Sequence, residues 1–395
     1  MTILIGIILA IFLTLILISK KNKNLSDRIL LAWLITIVIS LVLFRLQTEE
    51  LRHSYPLFLG WGFPLPLLQW PFLYLYVFSL TSKEALKNIQ LLHFLPFLLS
   101  VLLFSRYLFL PEQMKIDIYN SHGEGYDTEM NINLIAIILS AVIYTILSSL
   151  KLWKYKRNIR NEFSFTEKIT LNWLLYLIIG MTCILVIILL GGNDNIIYSS
   201  VTGLILYIGY FGIKQVGIFI ESIKIEQSFV FKDDVLIDSP FHSQPLITSA
   251  SHEENDTTET IPPIQKVKYE KTKISDSETN SIHQRLKELM NTEKLYKNPE
   301  LTLSEIAKRI PIHQNTLSQV INTVEEKSFY DYINFQRVEE FQRIALLPKS
   351  NQYTLLSLAF ESGFNSKTSF NRNFKKITNL SPSEFLKQKN IQLQE

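Results

Sequence analysis

The sequence predicts an all-α protein with two unlike parts, a bundle of seven membrane-spanning helices followed by a smaller domain of short helices. Three observations lead to this prediction. Hydrophobic residues make up 47% of the 395 residues, and the longest apolar runs all lie within residues 1–220. Residues 221–280 are polar and contain few large apolar side chains. Apolar residues at helical spacing return over residues 281–395.

Each apolar run of the first part is close to the roughly 20 residues that a helix needs to cross a bilayer. The seven runs are Ile3–Ser19, Ile29–Leu46, Pro64–Leu80, Ile89–Leu110, Ile132–Trp153, Leu171–Leu190 and Ile196–Ile220. The third run contains Pro64, Pro66 and Pro71. Because proline lacks an N–H donor and clashes with the preceding turn, this helix is expected to be kinked or to begin late.

The loops between the runs alternate in charge. Segment 20–28 has four basic residues against one acidic residue, and segment 151–170 has six against two. Segment 111–131, on the alternate side, has one basic residue against five acidic ones. Because Lys and Arg stay on the cytoplasmic side of a membrane, the pattern predicts an N-terminus outside and a C-terminus in the cytoplasm.

Reactive groups are sparse in the membrane part. The single cysteine, Cys183, excludes an internal disulfide and a cysteine zinc cluster. The sequence contains no P-loop, no zinc-protease motif and no carboxylate relay, so we expect neither enzyme activity nor a metal or cofactor. His93 lies at membrane depth, where a ligand contact and an interhelical hydrogen bond are equally open interpretations.

The middle segment, 221–280, is rich in Ser, Thr, Asp, Glu and Pro. Such a composition cannot bury enough apolar surface to offset the entropy lost on ordering. We therefore expect a mostly disordered linker. A flexible linker transmits force poorly, so we expect signals to pass through dimerisation or local concentration rather than through a rigid lever.

From Ser281 onward the apolar spacing predicts short helices with clear starts. Thr302 and Glu305 form a capping box that opens one short helix, and a second short helix is predicted over His313–Asn322. Two short helices joined by a tight break form a helix-turn-helix. A longer helix, Phe329–Leu347, follows and suits a rigid spacer.

The same plan then recurs beyond the spacer. A short helix beginning near Leu355 is expected to end at Gly363, which can adopt backbone conformations closed to most residues. Ser366 is expected to cap the next helix, with Phe370 and Phe374 buried. A further capping box, beginning at Ser381, opens the last helix.

These segments resemble the AraC/XylS family of bacterial transcription regulators. The resemblance rests on GFNSKTSFNRNFKK at 363–376, LSPSEF at 380–385, LSEIA at 303–307, LSQVIN at 317–322 and FYDYIN at 329–334. It implies an AraC-type domain in which two helix-turn-helix units, joined by a long helix, read adjacent segments of the DNA major groove. Several membrane spans before such a domain resemble a membrane-anchored subgroup of the family, which implies the bacterial inner membrane.

The candidate DNA-contacting residues form one polar stripe on the second helix of each unit. They are Asn315, Ser318, Gln319 and Asn322 in the first unit, and Lys367, Thr368, Asn371, Arg372 and Lys375 in the second. Amide side chains suit adenine edges, and basic side chains suit guanine and phosphate. Two positions depart from the family pattern of glycine, namely Asn379 and the pair Glu325-Glu326.

The resulting hypothesis is a membrane-tethered, sequence-specific DNA-binding transcription regulator whose membrane part senses a signal. The alternative is a transporter or membrane receptor whose helical tail is a protein-interaction module. From Ser281 on, the chain has sixteen Lys and Arg against twelve Asp and Glu, a mildly basic balance that favours DNA only weakly. The expected partners are double-stranded DNA and the lipid bilayer. RNA polymerase, a signal ligand or partner protein, and a second copy of the chain are further candidates.

Overall fold

The computed structural model describes residues 2–82, 87–121, 123–166, 169–213 and 274–389. The helices of the first part are α1 (Thr2–Ser19), α2 (Leu25–Leu46), α3 (Pro66–Thr81), α4 (Leu95–Leu103), α5 (Ser105–Leu108), α6 (Glu112–Asn120), α7 (Asp127–Glu162), α8 (Asn172–Leu189) and α9 (Asp194–Ile208). Those of the second part are α10 (Asp276–Glu293), α11 (Leu303–Arg309), α12 (Gln314–Val324), α13 (Phe329–Ala345), α14 (Leu355–Glu361), α15 (Lys367–Thr378) and α16 (Pro382–Gln388).

The predicted all-α class is confirmed over the described residues. Five of their helices are long and apolar enough to cross a membrane: α1, α2, α7, α8 and α9 extended to Gly212. The third predicted span begins late, at Pro66, and has 16 residues. The fourth is divided into a 3-10 turn, Asn88–Phe94, followed by α4 and α5. The chain turns at Phe104, which is buried in a small cluster with Tyr107 and Tyr126.

Helix α3 is the centre of the membrane part and packs between α2 and α7. Its Leu67, Leu73, Tyr76 and Val77 are fully buried, because an apolar helix with no polar face can be enclosed by other helices. The one amide on this helix, Gln69, accepts a hydrogen bond from Trp33 Nε1 at 2.9 Å, so its polar atoms are paired within the bundle.

Helices α1, α3 and α7 end at the same end of the bundle. It is called the basic end here, because the chain segments 20–28 and 151–166 are rich in Lys and Arg. Lys151 Nζ of α7 donates to Ser82 Oγ at 3.2 Å there, after the end of α3. At the opposite end Lys115 Nζ of α6 donates to the Leu57 carbonyl at 3.4 Å, and the Arg52 guanidinium lies 5.6 Å from the centroid of the Tyr119 ring.

Helix α7 is much longer than the predicted span Ile132–Trp153. Its 36 residues correspond to about 54 Å, against a hydrocarbon core of about 30 Å. The extra turns after Trp153 are rich in Lys, Arg and Asn, so hydropathy alone did not include them in the span. They continue the helix beyond the basic end of the bundle.

The second part has two cores, one for each helix-turn-helix unit. Leu286, Leu317 and Ile321 belong to the first core, and Phe370 and Phe374 belong to the second. Helix α13 contributes to both, with Phe329 and Ile333 in the first and Val338 and Phe341 in the second. The predicted spacer is thus also the packing core that holds the two units at a fixed separation.

The start of the second domain differs from the predicted boundary at Ser281. Helix α10 begins at Asp276, where Ser275 Oγ accepts from the Glu278 backbone N–H. The first turn is exposed, so it carries no apolar periodicity, but Asp276 and Glu278 suit the positive end of the helix dipole. The remaining prediction of a disordered linker falls mostly on residues 214–273, which lie outside the described residues.

Candidate nucleic-acid interface

The first unit consists of α11 and α12. Thr302 and Glu305 form the predicted capping box at the start of α11. His313 caps α12, its Nδ1 accepting from the Asn315 backbone N–H at 3.2 Å. Leu317 and Val320 are fully buried, which turns the opposite face of α12 outward.

That outward face contains the predicted stripe of the first unit. Asn315, Gln319 and Asn322 are exposed, and Ser318 is half-buried. Asn322 Nδ2 donates to the Ser318 carbonyl at 2.8 Å, so this amide is held along the helix rather than extended. The outward stripe of the first unit therefore consists of three amides and one hydroxyl and has no formal charge.

The second unit consists of α14 and α15, with Ser366 capping α15 through a hydrogen bond from the Ser369 N–H at 3.1 Å. Phe370 and Phe374 are fully buried. The five predicted residues of this unit, Lys367, Thr368, Asn371, Arg372 and Lys375, are all exposed. Three of the five are cationic, so the second stripe is much more basic than the first.

Two positive-φ positions fix the ends of the second unit's helices. Gly363 has φ +97°, and an added Cβ would overlap the Tyr296 carbonyl oxygen and lie 2.8 Å from Lys297 Cα. Glycine is therefore required where this turn meets the first unit. Asn379 has φ +60° at the C-terminal end of α15, as expected for asparagine in place of glycine.

Helix α13 holds α15 through two adjacent side chains that the sequence analysis did not single out. The buried Tyr330 hydroxyl accepts from Arg372 Nη2 at 2.7 Å and from Asn373 Nδ2 at 2.8 Å. Asp331 accepts from Lys376 Nζ at 2.7 Å. One of the predicted base-contacting residues, Arg372, is thus also oriented by the spacer helix.

Buried carboxylates in this domain are paired with cations. Hydrogen bonds from Arg343 lower the pKa of Glu340 to about 2. Burial of the carboxylate opposes this shift, and a hydrogen bond from Lys297 assists it. Burial alone would raise the pKa of Glu325, but hydrogen bonds from His283 and Lys327 outweigh it and lower that pKa. The charge of Glu325, one of the two departures from the family pattern, is therefore compensated within the domain.

The end of α7 contacts this domain directly. Arg160 Nη2 donates to both carboxylate oxygens of Asp331 at 2.9 and 2.8 Å, and the guanidinium lies 5.5 Å from the Tyr330 ring centroid. Burial alone would raise the pKa of Asp331, but hydrogen bonds from Lys376 and Ser328 and the charge of Arg160 lower it, which keeps the carboxylate ionised.

The loop after α7 continues this contact. The Ser164 N–H donates to the Leu301 carbonyl at 3.2 Å, and Phe163 and Thr302 form an antiparallel β-bridge. Arg337, which is 2% exposed, donates through Nη1 to the Ser164 carbonyl at 3.2 Å and through Nη2 to Ser164 Oγ at 3.0 Å. This contact was not predicted from the sequence, because the basic residues of 151–170 indicated only the side of the membrane.

The last turns of α7 also face the first unit's second helix. A cleft separates them, lined mainly by polar side chains. Its lining residues are Asn158, Asn161, Glu162, Leu303, Gln314, Asn315 and Ser318. Two of the predicted base-contacting residues, Asn315 and Ser318, therefore face the end of α7.

Residues 306–388 match the family model described as a helix-turn-helix domain, which is of the AraC type. No curated protein and no solved structure matches the chain. The match begins within α11 and includes α12, the spacer helix and the second unit, so the predicted resemblance is confirmed for this domain. The domain belongs to a class of DNA-binding regulators rather than to a class of enzymes. The chain therefore contains a helix-turn-helix domain of the AraC type, which supports DNA binding by this domain.

Proposed function

We propose that this chain is a membrane-anchored transcription regulator that binds specific DNA sequences from the cytoplasmic face of a bacterial inner membrane. The observation that carries the proposal is the continuity of α7. This helix begins within the apolar bundle and ends in hydrogen-bonded contact with the helix-turn-helix domain. The helix-turn-helix domain is therefore connected to the bundle in two ways, covalently through residues 214–273 and by direct contact with the end of α7.

The orientation is supported by charge. The helix-turn-helix domain contacts the basic end of the bundle, where the loops are rich in Lys and Arg. Lys and Arg near membrane spans stay in the cytoplasm, which is also where DNA is found. Two independent considerations, loop charge and access to DNA, thus favour the same side of the membrane.

Cysteine labelling tests this orientation in a Cys183→Ser background. Glu124 and Lys21 are both exposed and lie at opposite ends of the bundle. In spheroplasts, a membrane-impermeant maleimide should label Glu124→Cys directly and should label Lys21→Cys only after lysis. The reverse pattern would place the DNA-binding domain outside the cell and would contradict the proposal.

The two units are proposed to divide base reading between them. Asn315, Ser318, Gln319 and Asn322 are uncharged and suit base edges. Among the residues of the second unit, Asn371 and Arg372 suit adenine and guanine edges, while Lys367 and Lys375 suit phosphates. The signal, whether a solute, a lipid or a protein, is proposed to act on the membrane part.

DNA selection with the full-length protein in nanodiscs tests sequence-specific binding. Duplexes recovered from a random library should converge on one motif. On the recovered duplex, Asn371→Ala should weaken binding about tenfold, as expected for loss of one base-edge contact. Asn351→Ala, an exposed asparagine in the 3-10 turn Pro348–Gln352, is the matched control and should bind as the wild type does. Recovery of no common motif would contradict the proposed function.

A further inference from the structure

We propose that DNA and residues 158–166, here called the docking segment, compete for one surface of the helix-turn-helix domain. The arrangement described above is then the DNA-free state of the regulator. The proposal rests on the proposed function, because it takes α12 to be a DNA-reading helix. It adds a specific intramolecular partner for that helix.

The docking segment lies where the DNA would lie. Asn161 and Glu162 of α7 face Asn315 and Ser318 of α12 across the polar cleft. A reading helix enters the major groove with its N-terminal residues towards the base edges. The groove is about 12 Å wide and admits one helix, whose diameter with side chains is about 10–12 Å. A second helix against the same end of α12 leaves no room for the duplex.

The anchor of the docking segment is Ser164, which is 1% exposed. Both its carbonyl and its hydroxyl accept hydrogen bonds from Arg337. The guanidinium also donates to the carbonyls of Tyr296 and Asn298, both at 2.8 Å, and to Asn334 Oδ1 at 3.4 Å. These carbonyls belong to the domain itself, so Arg337 keeps its main hydrogen bonds when Ser164 leaves. Undocking therefore opens part of the guanidinium to water, which can replace the two acceptors that Ser164 supplied.

The second contact of the docking segment is ionic and exposed. Arg160 and Asp331 have side-chain exposures of 45% and 23%. Removing such an ion pair changes an equilibrium by about fivefold at most, and the interaction is screened by salt. Asp331 also accepts from Lys376 of α15, so it keeps a cationic partner when Arg160 is removed. The contact is therefore weak enough for DNA to displace it.

Helix α7 gives the membrane part control over this competition. It packs against α3 within the bundle, and the same continuous helix ends in the docking segment. A shift or rotation of α7 in the bundle must therefore move Arg160 and Asn161 relative to α12. This route is a rigid one, unlike the flexible linker that the sequence analysis emphasised.

Cross-linking in the full-length protein in nanodiscs tests the competition directly. Asn161→Cys and Gln314→Cys, combined with Cys183→Ser, place one thiol on each wall of the cleft. A short bismaleimide should join the two thiols, and the joined protein should lose binding of the selected duplex at least tenfold. The same variant without the reagent is the control for the substitutions. Saturating duplex added first should reduce the cross-linking yield, because coupling between two sites is reciprocal.

A pair of matched arginine variants tests the same competition without a reagent. Arg160→Ala removes the contact with Asp331 and should raise affinity for the duplex about fivefold, the equivalent of an exposed ion pair. Arg157→Ala removes the same charge one turn earlier on α7, where the guanidinium lies over the Trp153 ring, and should leave affinity unchanged.

Three outcomes separate the inference from the function on which it rests. Duplex binding that is unchanged by the cross-link would overturn the competition while leaving sequence-specific binding intact. Equal affinities for Arg160→Ala and Arg157→Ala would also overturn it. Failure of every variant, including Arg160→Ala, to select any duplex would overturn the proposed function and this inference together.

Discussion

The two helix-turn-helix units share a plan and differ in chemistry. The exposed stripe of α12 has amide and hydroxyl groups, whereas that of α15 has Lys367, Arg372 and Lys375. Helix α12 faces the end of α7, whereas α15 is hydrogen-bonded to Tyr330 and Asp331 of the spacer. The unit with the basic stripe is thus hydrogen-bonded to the spacer helix, and the unit with the uncharged stripe is the one that faces the end of α7.

Under the proposed function, this difference suits the two units to different contributions to DNA binding. Cationic residues bind the phosphates of any sequence, so the second unit suits affinity. Amides read base edges and contribute mainly to specificity, so covering the first unit should reduce sequence discrimination more than it reduces the attraction to DNA.

The largest effect is expected where the two units meet. In Gly363→Ala, the added Cβ overlaps the Tyr296 carbonyl oxygen, and alanine must adopt an unfavourable φ of +97°. The substitution should therefore destabilise the domain by about 4 kcal/mol. Gly125→Ala has a similar φ of +83° with no atom within 4 Å of the added Cβ, and should cost about 1 kcal/mol locally. Hydrogen exchange in each region measures both effects. If the loss of amide protection around residue 363 were no larger than that around residue 125, the stability of the two units would not depend on the close approach of Gly363 to Tyr296.

A smaller effect, dependent on pH, is expected at Glu340. Its folded pKa of about 2 lies below the unfolded value of roughly 4.3 and corresponds to about 3 kcal/mol at neutral pH. Because the folded pKa is lowered, this stabilisation is present above about pH 5 and is lost as the pH falls towards 2. Glu340→Gln should therefore lower the unfolding temperature at pH 7 and have little effect near pH 2.

The neighbouring residue provides the control for this pH dependence. Burial raises the pKa of Glu339, so its charged form is disfavoured in the folded domain. Glu339→Gln should be neutral or slightly stabilising at pH 7. A loss of stability in Glu340→Gln that is the same at pH 7 and at pH 2 would exclude the ionic contribution from Arg343 and Lys297.

The smallest effect concerns the orientation of α15. Tyr330→Phe removes the hydroxyl that accepts from Arg372 and Asn373, and should weaken DNA binding by about 1 kcal/mol with the fold retained. Tyr332→Phe is the matched control, because the buried Tyr332 hydroxyl has no hydrogen-bond partner. It should leave DNA binding unchanged. Unchanged affinity in Tyr330→Phe would show that Arg372 needs no support from the spacer.

Local features of the domain could be predicted from the sequence because they depend on near neighbours in the chain. The capping boxes at Thr302 and Ser381, the cap at Ser366 and the left-handed Asn379 are all present. His93 forms one of the two predicted alternatives, since its Nδ1 lies 3.0 Å from the Tyr144 hydroxyl. The interhelical hydrogen bond is the alternative that the structure supports.

Other features could not be predicted, because they join residues far apart in the chain. Arg160 and Asp331 are separated by 171 positions, and Ser164 and Arg337 by 173. The basic residues at the end of α7 have a composition typical of a cytoplasmic loop. Their charge therefore predicted the side of the membrane on which they lie, but it did not predict that they form a helix. Tyr330 lay within a family motif, but its role depends on a contact with α15.

The sequence by itself determined the all-α class, the apolar segments, the alternation of loop charge and the two stripes of DNA-contacting candidates. Each of these follows from spacing along the chain, from caps or from local composition. Tertiary packing, in contrast, is what extends α7 beyond the bundle and brings its end opposite Asn315 and Ser318 across the cleft. Packing of distant surfaces depends on the positions of complete helices, and periodicity specifies which face a helix buries but not its partner.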